Sequence, residues 1–160
     1  MVSRELEPCL FAFGHVINDI ISTIFKKIVK FPRPINGQIF KNDSGLEWGM
    51  PSSHTQFMAF WFIYINLSYI QNWPYYKLNF FWKLIFTYST LLIVTLVILS
   101  RIIFEYHNIN QIIVGLLLGT TLSTIYFIII SIFREYGIFD YILNYSIFKW
   151  WGMKDGFGRD

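Results

Sequence analysis

The stretch INQIIVGLLLGTTLSTIYFIIISIF, residues 109–133, runs for 25 residues without a charged side chain. About 20 consecutive apolar residues suffice for an α-helix to cross the hydrocarbon core of a bilayer. The whole chain has the same character, because 54% of its 160 residues are hydrophobic and only 14% are charged. Soluble domains carry about 25% charged residues. The chain is therefore predicted to be a membrane protein.

Three further segments have the composition of membrane helices, namely residues 9–29, 55–70 and 80–104. Residues 139–151 are too few to span a bilayer, but this aromatic stretch can lie in the membrane interface. The sequence therefore predicts an all-α, polytopic membrane helix bundle of about four transmembrane helices. The membrane domain is expected over residues 1–133, followed by a C-terminal interfacial tail over residues 134–160.

The first of these segments is the least apolar, and its polar residues follow a pattern. His15, Asp19, Ser22 and Lys26 step by four, three and four positions, which places them on one helical face. A polar stripe on a membrane helix faces the bundle interior or a water-filled cavity rather than lipid. We expect this face to line the cavity that holds the polar end of a ligand.

Several classes of site and partner are disfavoured by composition. The single Cys9 excludes an internal disulfide and a cysteine-based zinc site. The three histidines lie on different segments, without the spacing of metal ligands. The formal net charge of +3 is too small and too scattered to indicate a nucleic-acid partner.

Four spans bring the loop between the first two helices and the junction between the last two to the same membrane face. The polar residues gathered there are Lys26, Arg33, Ser52, Ser53, His54, Arg101 and His107. Alone, each has an ordinary explanation, such as a lysine at the membrane edge or a serine that caps a helix. Together they suit a phosphate group, which arginine, lysine and a helix N-terminus all bind. A histidine can attack phosphorus, and a second can protonate the leaving oxygen.

These residues fall into three short motifs. Lys26-x6-Arg33-Pro34, Pro51-Ser52-x-His54 and Ser100-Arg101-x5-His107 resemble, in order and interval, the motifs of the type 2 phosphatidic acid phosphatase superfamily. Within that superfamily, GMPSSHTQFMAF and YHNINQIIVG look most similar to the dolichyldiphosphatase branch, as does RELEPCLFAFG near the N-terminus. The resemblance covers roughly residues 4–133.

The resemblance implies a metal-independent enzyme, without a cofactor, that removes the terminal phosphate of dolichyl diphosphate. It also implies a multi-pass protein of the endoplasmic reticulum membrane, with its site facing the lumen. By the same resemblance His107 is the nucleophile and His54 the acid for the leaving group. The groups that hold phosphate would be Lys26, Arg33, Arg101, Ser52 and the backbone of Ser53.

The sequence departs from the superfamily pattern at two positions of the site. Ser53 stands where glycine is usual, and Gln111 stands four residues after the nucleophile, where aspartate is usual. A glutamine oxygen can accept the ring N–H of His107 and fix its tautomer, but it carries no charge to offset an imidazolium. Candidates for the missing negative charge are Asp43, Glu47 and Glu105. Such relatives generally also have a further membrane helix before the first segment.

Small residues continue the face that begins at His107 and Gln111. Gly115, Gly119 and Ser123 allow close helix approach, either within the chain or in a homodimer. Two alternative functions stay open. In the first alternative, the substrate is another lipid phosphate, such as phosphatidic acid or a different isoprenyl diphosphate. In the second, the chain is a non-catalytic scaffold that binds lipid.

Overall fold

The computed structural model describes residues 5–38, 47–71, 79–144 and 155–156. Within these ranges the α-helices are α1 (Leu6–Val29), α2 (Ser53–Ile70), α3 (Phe80–Ile103), α4 (Ile109–Glu135) and α5 (Ile138–Leu143), with one 3-10 turn at Ile35–Gly37. The predicted all-α membrane bundle is confirmed, and each long helix begins and ends within three residues of its predicted bounds. The first part of the expected interfacial segment is α5, and the rest of it lies outside the described residues.

Three of the described helices, α1, α3 and α4, are long and apolar enough to cross a membrane. The 18-residue α2 is not among them, so a fourth crossing stays a prediction. This helix contacts each of the other three, and many of its buried side chains are polar, including Gln56, Asn66 and Ser68. Its position at the centre of the bundle, away from lipid, explains why α2 tolerates them.

The centre of the bundle is aromatic. Phe60 and Tyr64 of α2 pack against Phe127 of α4, with Phe11 of α1 and Tyr126 of α4 at the edge of the cluster. The helix α3, by contrast, buries only Thr90 and Val94 and exposes most of its apolar side chains. A long apolar helix with so little buried surface is suited to face lipid. The site is therefore positioned mainly by α2 and α4.

The small-residue face of α4 packs against α2 inside the same chain. A Cβ atom at Gly115 would lie 2.9 Å from the carbonyl oxygen of Ser52, and one at Gly119 would overlap the carbonyl oxygen of Gln56. The hydroxyl of Ser123 donates to the carbonyl of Phe60 at 2.9 Å. The small-residue face therefore packs against α2 within the chain, as the intramolecular interpretation predicts, and a homodimer through Gly115 and Gly119 stays an untested alternative.

The interior face of α1 differs by one position from the predicted stripe. Asn18 is buried, whereas Asp19 is exposed, so Asp19 does not face the bundle interior, and its place beside a water-filled cavity stays a prediction. The side-chain amide of Gln56 donates to the side chain of Asn18 at 2.9 Å, and the hydroxyls of Ser22 and Ser53 lie 3.2 Å apart. At least this part of the stripe joins α1 to α2 rather than lining an open cavity. An uncharged amide is also far cheaper to bury than a carboxylate.

Charged residues meet at the end of the bundle away from the α3–α4 junction. The buried carboxylate of Glu7, at the start of α1, pairs with the guanidinium of Arg134, at the end of α4. Arg134 also pairs with Asp155 at 3.2 Å. We call these three residues the basal clamp. It ties the first helix, the fourth helix and part of the tail together.

Candidate active site

The predicted site residues are brought to one end of the bundle, which we call the site end. Lys26 lies in the last turn of α1, His54 in the first turn of α2 and Arg101 in the last turn of α3, while His107 lies just before α4. The charges of Arg101, Arg33, Lys26 and Glu47 all act on the His54 ring. Residues that are far apart in the sequence thus share one electrostatic site.

Two backbone connections shape this end of the bundle. The N–H of Gly49 donates to the carbonyl of Phe31 at 2.7 Å, which joins the start and end of the α1–α2 connection. A Cβ atom at Gly37 would lie 2.7 Å from the Cα atom of Tyr106, so the 3-10 turn packs directly on the α3–α4 junction. The two connections that carry the site residues therefore hold each other in place.

His107 is buried and is oriented by Gln111. The ring Nδ1 lies 2.9 Å from the Gln111 Oε1, while the Gln111 Nε2 donates to the carbonyl of Pro32 at 2.7 Å. A carbonyl can only accept, so the amide nitrogen of Gln111 must face Pro32 and its oxygen must face His107. The Nδ1 of His107 therefore carries the proton and donates it to Gln111. The Nε2 is left with its lone pair, which is the form a nucleophile requires.

The surroundings of His107 keep the ring neutral. Burial lowers the pKa of His107 to about 4, and the charges of Arg33 and Lys26 act in the same direction against the hydrogen bond to Gln111. Near neutral pH the imidazole is thus uncharged and able to attack an electrophile. The predicted role of Gln111, to fix the tautomer without adding charge, agrees with this geometry.

The Gln111 side chain also caps the N-terminus of α4, the helix to which it belongs. Its Oε1 accepts a hydrogen bond from the backbone N–H of Asn108 at 3.3 Å, as part of a capping box at the start of α4. The signal for this role is present in the sequence as Asn-x-x-Gln, because Asn is a preferred N-cap and Gln at the third position returns the bond. Helix formation and orientation of His107 thus depend on the same side chain.

The cations of the site are largely buried and have unused donors. The side chains of Lys26 and Arg33 are 13% and 8% exposed. The Nε atoms of Arg33 and Arg101 are buried without a hydrogen-bond partner among the described residues. Buried polar groups are nearly always paired, so two unmatched guanidinium donors indicate that an acceptor belongs there. A phosphate oxygen would meet this need.

The two serines are placed at the site, but their hydroxyls bond within the protein. Ser52 is fully buried, its N–H donates to the carbonyl of Gln111 at 3.1 Å, and its Oγ accepts from Thr55 at 3.0 Å. The Ser53 hydroxyl pairs with that of Ser22. Contacts of these residues with phosphate therefore stay predictions. The N-terminus of α2 brings backbone N–H groups to the same place, and such groups favour anions.

Glu47 and Gly49 are site residues whose contacts the sequence does not reveal. The Glu47 carboxylate pairs with Lys26 at 3.2 Å and with Arg33 at 2.9 Å. A Cβ atom at Gly49 would lie 2.6 Å from the Gln111 Nε2, so only glycine fits against the residue that orients His107. The only signal for Gly49 is its place directly before the Pro-Ser-x-His motif.

Neither of the two candidates among the described residues, Glu47 and Glu105, places its negative charge on His107. Glu47 binds the two cations, and Glu105 accepts a hydrogen bond from the side chain of Asn36. Asp43 lies outside the described residues. The hydrogen-bond partners of the His107 ring among the described residues, the Gln111 side chain and the Gly49 backbone, are both neutral.

Residues 7–135 match the family model described as the PAP2 superfamily. The chain is 40% identical over 161 residues to the dolichyldiphosphatase of Saccharomyces cerevisiae, a match that covers 98% of this chain and 66% of that protein. It is 30% identical over 131 residues to dolichyldiphosphatase 1 of Homo sapiens, covering 78% of this chain and 53% of the human protein. The chain thus spans between about half and two thirds of these relatives. No solved structure matches the chain.

Proposed function

The chain belongs to the PAP2 superfamily, and from this membership and the geometry of its site we propose that it removes the terminal phosphate of dolichyl diphosphate. The relatives named as dolichyldiphosphatases support this choice of lipid. The proposed phosphatase domain covers residues 1–133, and residues 134–160 form the tail. No metal or cofactor takes part in the proposed reaction.

The proposed reaction has two steps. In the first, the Nε2 of His107 attacks the terminal phosphorus, the anhydride P–O bond breaks, and His54 donates a proton to the leaving oxygen of dolichyl monophosphate. In the second, His54 takes a proton from water, which attacks the phosphohistidine and releases inorganic phosphate. Both transition states place negative charge on the equatorial oxygens, where Lys26, Arg33 and Arg101 stabilise it.

The observation that carries the proposal is the fixed tautomer of His107. The Gln111 Oε1 accepts a hydrogen bond from the Nδ1–H at 2.9 Å, and burial keeps the ring neutral by lowering the pKa of His107 to about 4. The lone pair of Nε2 in this tautomer lies in the field of two barely exposed cations, Lys26 and Arg33, which suits attack on a bound phosphate. His54 is exposed, so the leaving group and water can both reach it.

We propose that the protein lies in the endoplasmic reticulum membrane with its site end in the lumen, where it recycles the lipid carrier of N-glycosylation. The membrane helices support the multi-pass arrangement. Two glycosylation sequons lie on opposite predicted faces. Asn144 follows α5, and Asn42 lies outside the described residues. Modification of Asn144 in microsomes, with Asn42 always unmodified, would contradict the proposed orientation.

The substrate is tested by a panel assayed in excess EDTA. Purified protein should release phosphate from dolichyl diphosphate faster than from dolichyl monophosphate or phosphatidic acid. His107→Ala should release none, and its melting temperature should show that it is folded. Faster release from phosphatidic acid would favour the alternative of another lipid phosphatase. Binding of the lipids without any release would favour a non-catalytic scaffold.

A further inference from the structure

Glu47 bridges two of the cations to which the proposed function assigns phosphate binding. One carboxylate oxygen lies 3.2 Å from the Nζ of Lys26, and the other lies 2.9 Å from an Nη atom of Arg33. The two oxygens of a carboxylate present to these donors the same kind of acceptor pair as two oxygens of a phosphate. An anion of the protein itself thus occupies these two cations.

The three side chains of this bridge are buried to different extents. Lys26 and Arg33 are 13% and 8% exposed, whereas the side chain of Glu47 is 32% exposed. The cations are therefore fixed within the protein, while the carboxylate has a path to water. Two cations that are close together and poorly hydrated repel one another, and a carboxylate between them reduces that repulsion.

The chain on the C-terminal side of Glu47 is anchored. Two residues later, the N–H of Gly49 donates to the Phe31 carbonyl at 2.7 Å, and the Gly49 backbone fits closely against Gln111 and Arg33. The backbone therefore keeps Glu47 close to the cations even when its side chain rotates away. The carboxylate stays available at high local concentration for its return.

We propose that Glu47 is an internal competitor for phosphate, which binds Lys26 and Arg33 in the empty site and leaves them when the substrate binds. This inference rests on the proposed function. A phosphate on the same cations would stand next to the carboxylate, and like charges at that distance repel strongly in a poorly hydrated site. Substrate binding is then an exchange of anions. A diphosphate head group displaces Glu47 more readily than a monophosphate, because it carries more charge and more oxygens.

The same exchange promotes product release. After hydrolysis, inorganic phosphate has lost its attachment to the lipid and holds the site only through its own charge. The return of Glu47 to Lys26 and Arg33 then competes directly with the product. Glu47 thereby weakens inhibition by phosphate and sharpens the preference for diphosphate over monophosphate lipids.

The test compares Glu47→Gln with wild type and with the control Glu105→Gln, which removes an exposed carboxylate elsewhere at the site end. Initial rates on dolichyl diphosphate are measured against inorganic phosphate at constant ionic strength, in EDTA. For Glu47→Gln we expect the inhibition constant of phosphate to fall at least about tenfold, the size of effect that one opposite charge has on a neighbouring ionic group. The KM for the substrate should fall as well. Glu105→Gln should leave both constants unchanged.

A second measurement needs no turnover. The rise in melting temperature that inorganic phosphate causes should be larger for Glu47→Gln than for wild type at equal phosphate concentration. Glu47→Asp is the variant to use if Glu47→Gln does not fold. Its shorter side chain cannot bridge both cations. The inhibition constant of phosphate should therefore lie between the wild-type value and the lower value expected when no carboxylate competes.

An unchanged inhibition constant and an unchanged thermal shift would overturn the inference. So would a loss of kcat without tighter phosphate binding, since that result would mark Glu47 as part of the reaction rather than a competitor. In either case a wild-type enzyme that releases phosphate from dolichyl diphosphate keeps the proposed function intact. Conversely, inactive wild-type protein that still shows the difference in thermal shift would overturn the proposed function alone.

Discussion

At the scale of single residues, the site depends on which atoms carry protons. Gln111 donates to the Pro32 carbonyl and must therefore offer its oxygen to His107, which fixes the imidazole tautomer. Aspartate is the residue expected from the superfamily pattern at this position, and it would add a negative charge. The glutamine keeps the orientation without the charge, so the neutral state of the His107 ring is set by burial rather than balanced by a carboxylate.

The size-matched variant Gln111→Glu tests this reasoning through the pH dependence of kcat/KM, which reports the free enzyme. A carboxylate next to His107 favours the imidazolium, so the pKa of the ring should rise from about 4 by about one to three units. Below that pKa the nucleophile is protonated, and the acid limb of the profile should move to higher pH. An acid limb that stays in its wild-type position would contradict the account of His107.

The sequence predicts a set of site residues, and the structure brings them to one end of the bundle, but the partners of these residues could not be predicted. The roles predicted for Lys26, Arg33 and His107 come from the resemblance of their motifs to those of the superfamily. The bridge from Glu47 to Lys26 and Arg33 spans 21 and 14 residues of sequence. No local pattern encodes such a pairing, since it forms only when the loop folds back on α1. The inward hydroxyls of Ser52 and Ser53 depend on packing in the same way.

At the scale of helices, the close contact of α2 and α4 positions the site. Gly115 and Gly119 allow the α2 backbone to approach α4, and this contact holds Ser52 against the carbonyl of Gln111. His54, the proposed acid, lies in the first turn of α2, and His107, the proposed nucleophile, lies just before α4. A change in the distance between α2 and α4 therefore moves the two histidines relative to each other.

Gly119→Ala tests the helix contact. The added methyl group overlaps the Gln56 carbonyl, and overpacking of this kind costs about 1–3 kcal/mol. Thermal unfolding in detergent should show a lower melting temperature, together with a lower kcat. The matched control is Thr120→Ala, at the adjacent exposed position, which should stay within about 0.5 kcal/mol of wild type. Equal stability of the two variants would mean that the contact is not tight.

The helix bounds could be predicted closely because apolar composition determines them in a membrane. The inner face of α1 was harder to predict, since Asn18 and Asp19 are adjacent and both polar. The choice between them depends on the cost of burying a charge and on the hydrogen bond that Gln56 offers to Asn18. Only the packed bundle contains that second helix.

At the scale of the whole molecule, charge is concentrated at two places. The site end gathers cations that suit an anion, while the basal clamp places Arg134 between the two carboxylates of Glu7 and Asp155. The clamp could not be predicted from the sequence, because Glu7 and Arg134 are 127 residues apart. It closes the bundle by joining its first and last long helices.

Arg134→Gln tests the basal clamp. Glu7 is only 2% exposed, and removal of one partner of a buried ion pair costs about 3–5 kcal/mol because the other charge stays buried. The melting temperature should fall sharply, while kcat below the transition should stay close to wild type because the clamp lies away from the site. The double variant Glu7→Gln/Arg134→Gln should recover part of the loss. A double variant that loses the sum of both single effects would show that the two charges are not coupled.

The central claim, that His107 carries the phosphoryl group, is tested most directly by trapping the intermediate. Purified protein is mixed with dolichyl diphosphate labelled with phosphorus-32 in the terminal phosphate, and the reaction is stopped within milliseconds in alkali. The protein should carry label that is stable in alkali, lost in acid and located on the peptide that contains His107. In His107→Ala both this label and phosphate release should be absent. Phosphate release that persists in His107→Ala, or label on a different residue, would contradict the account.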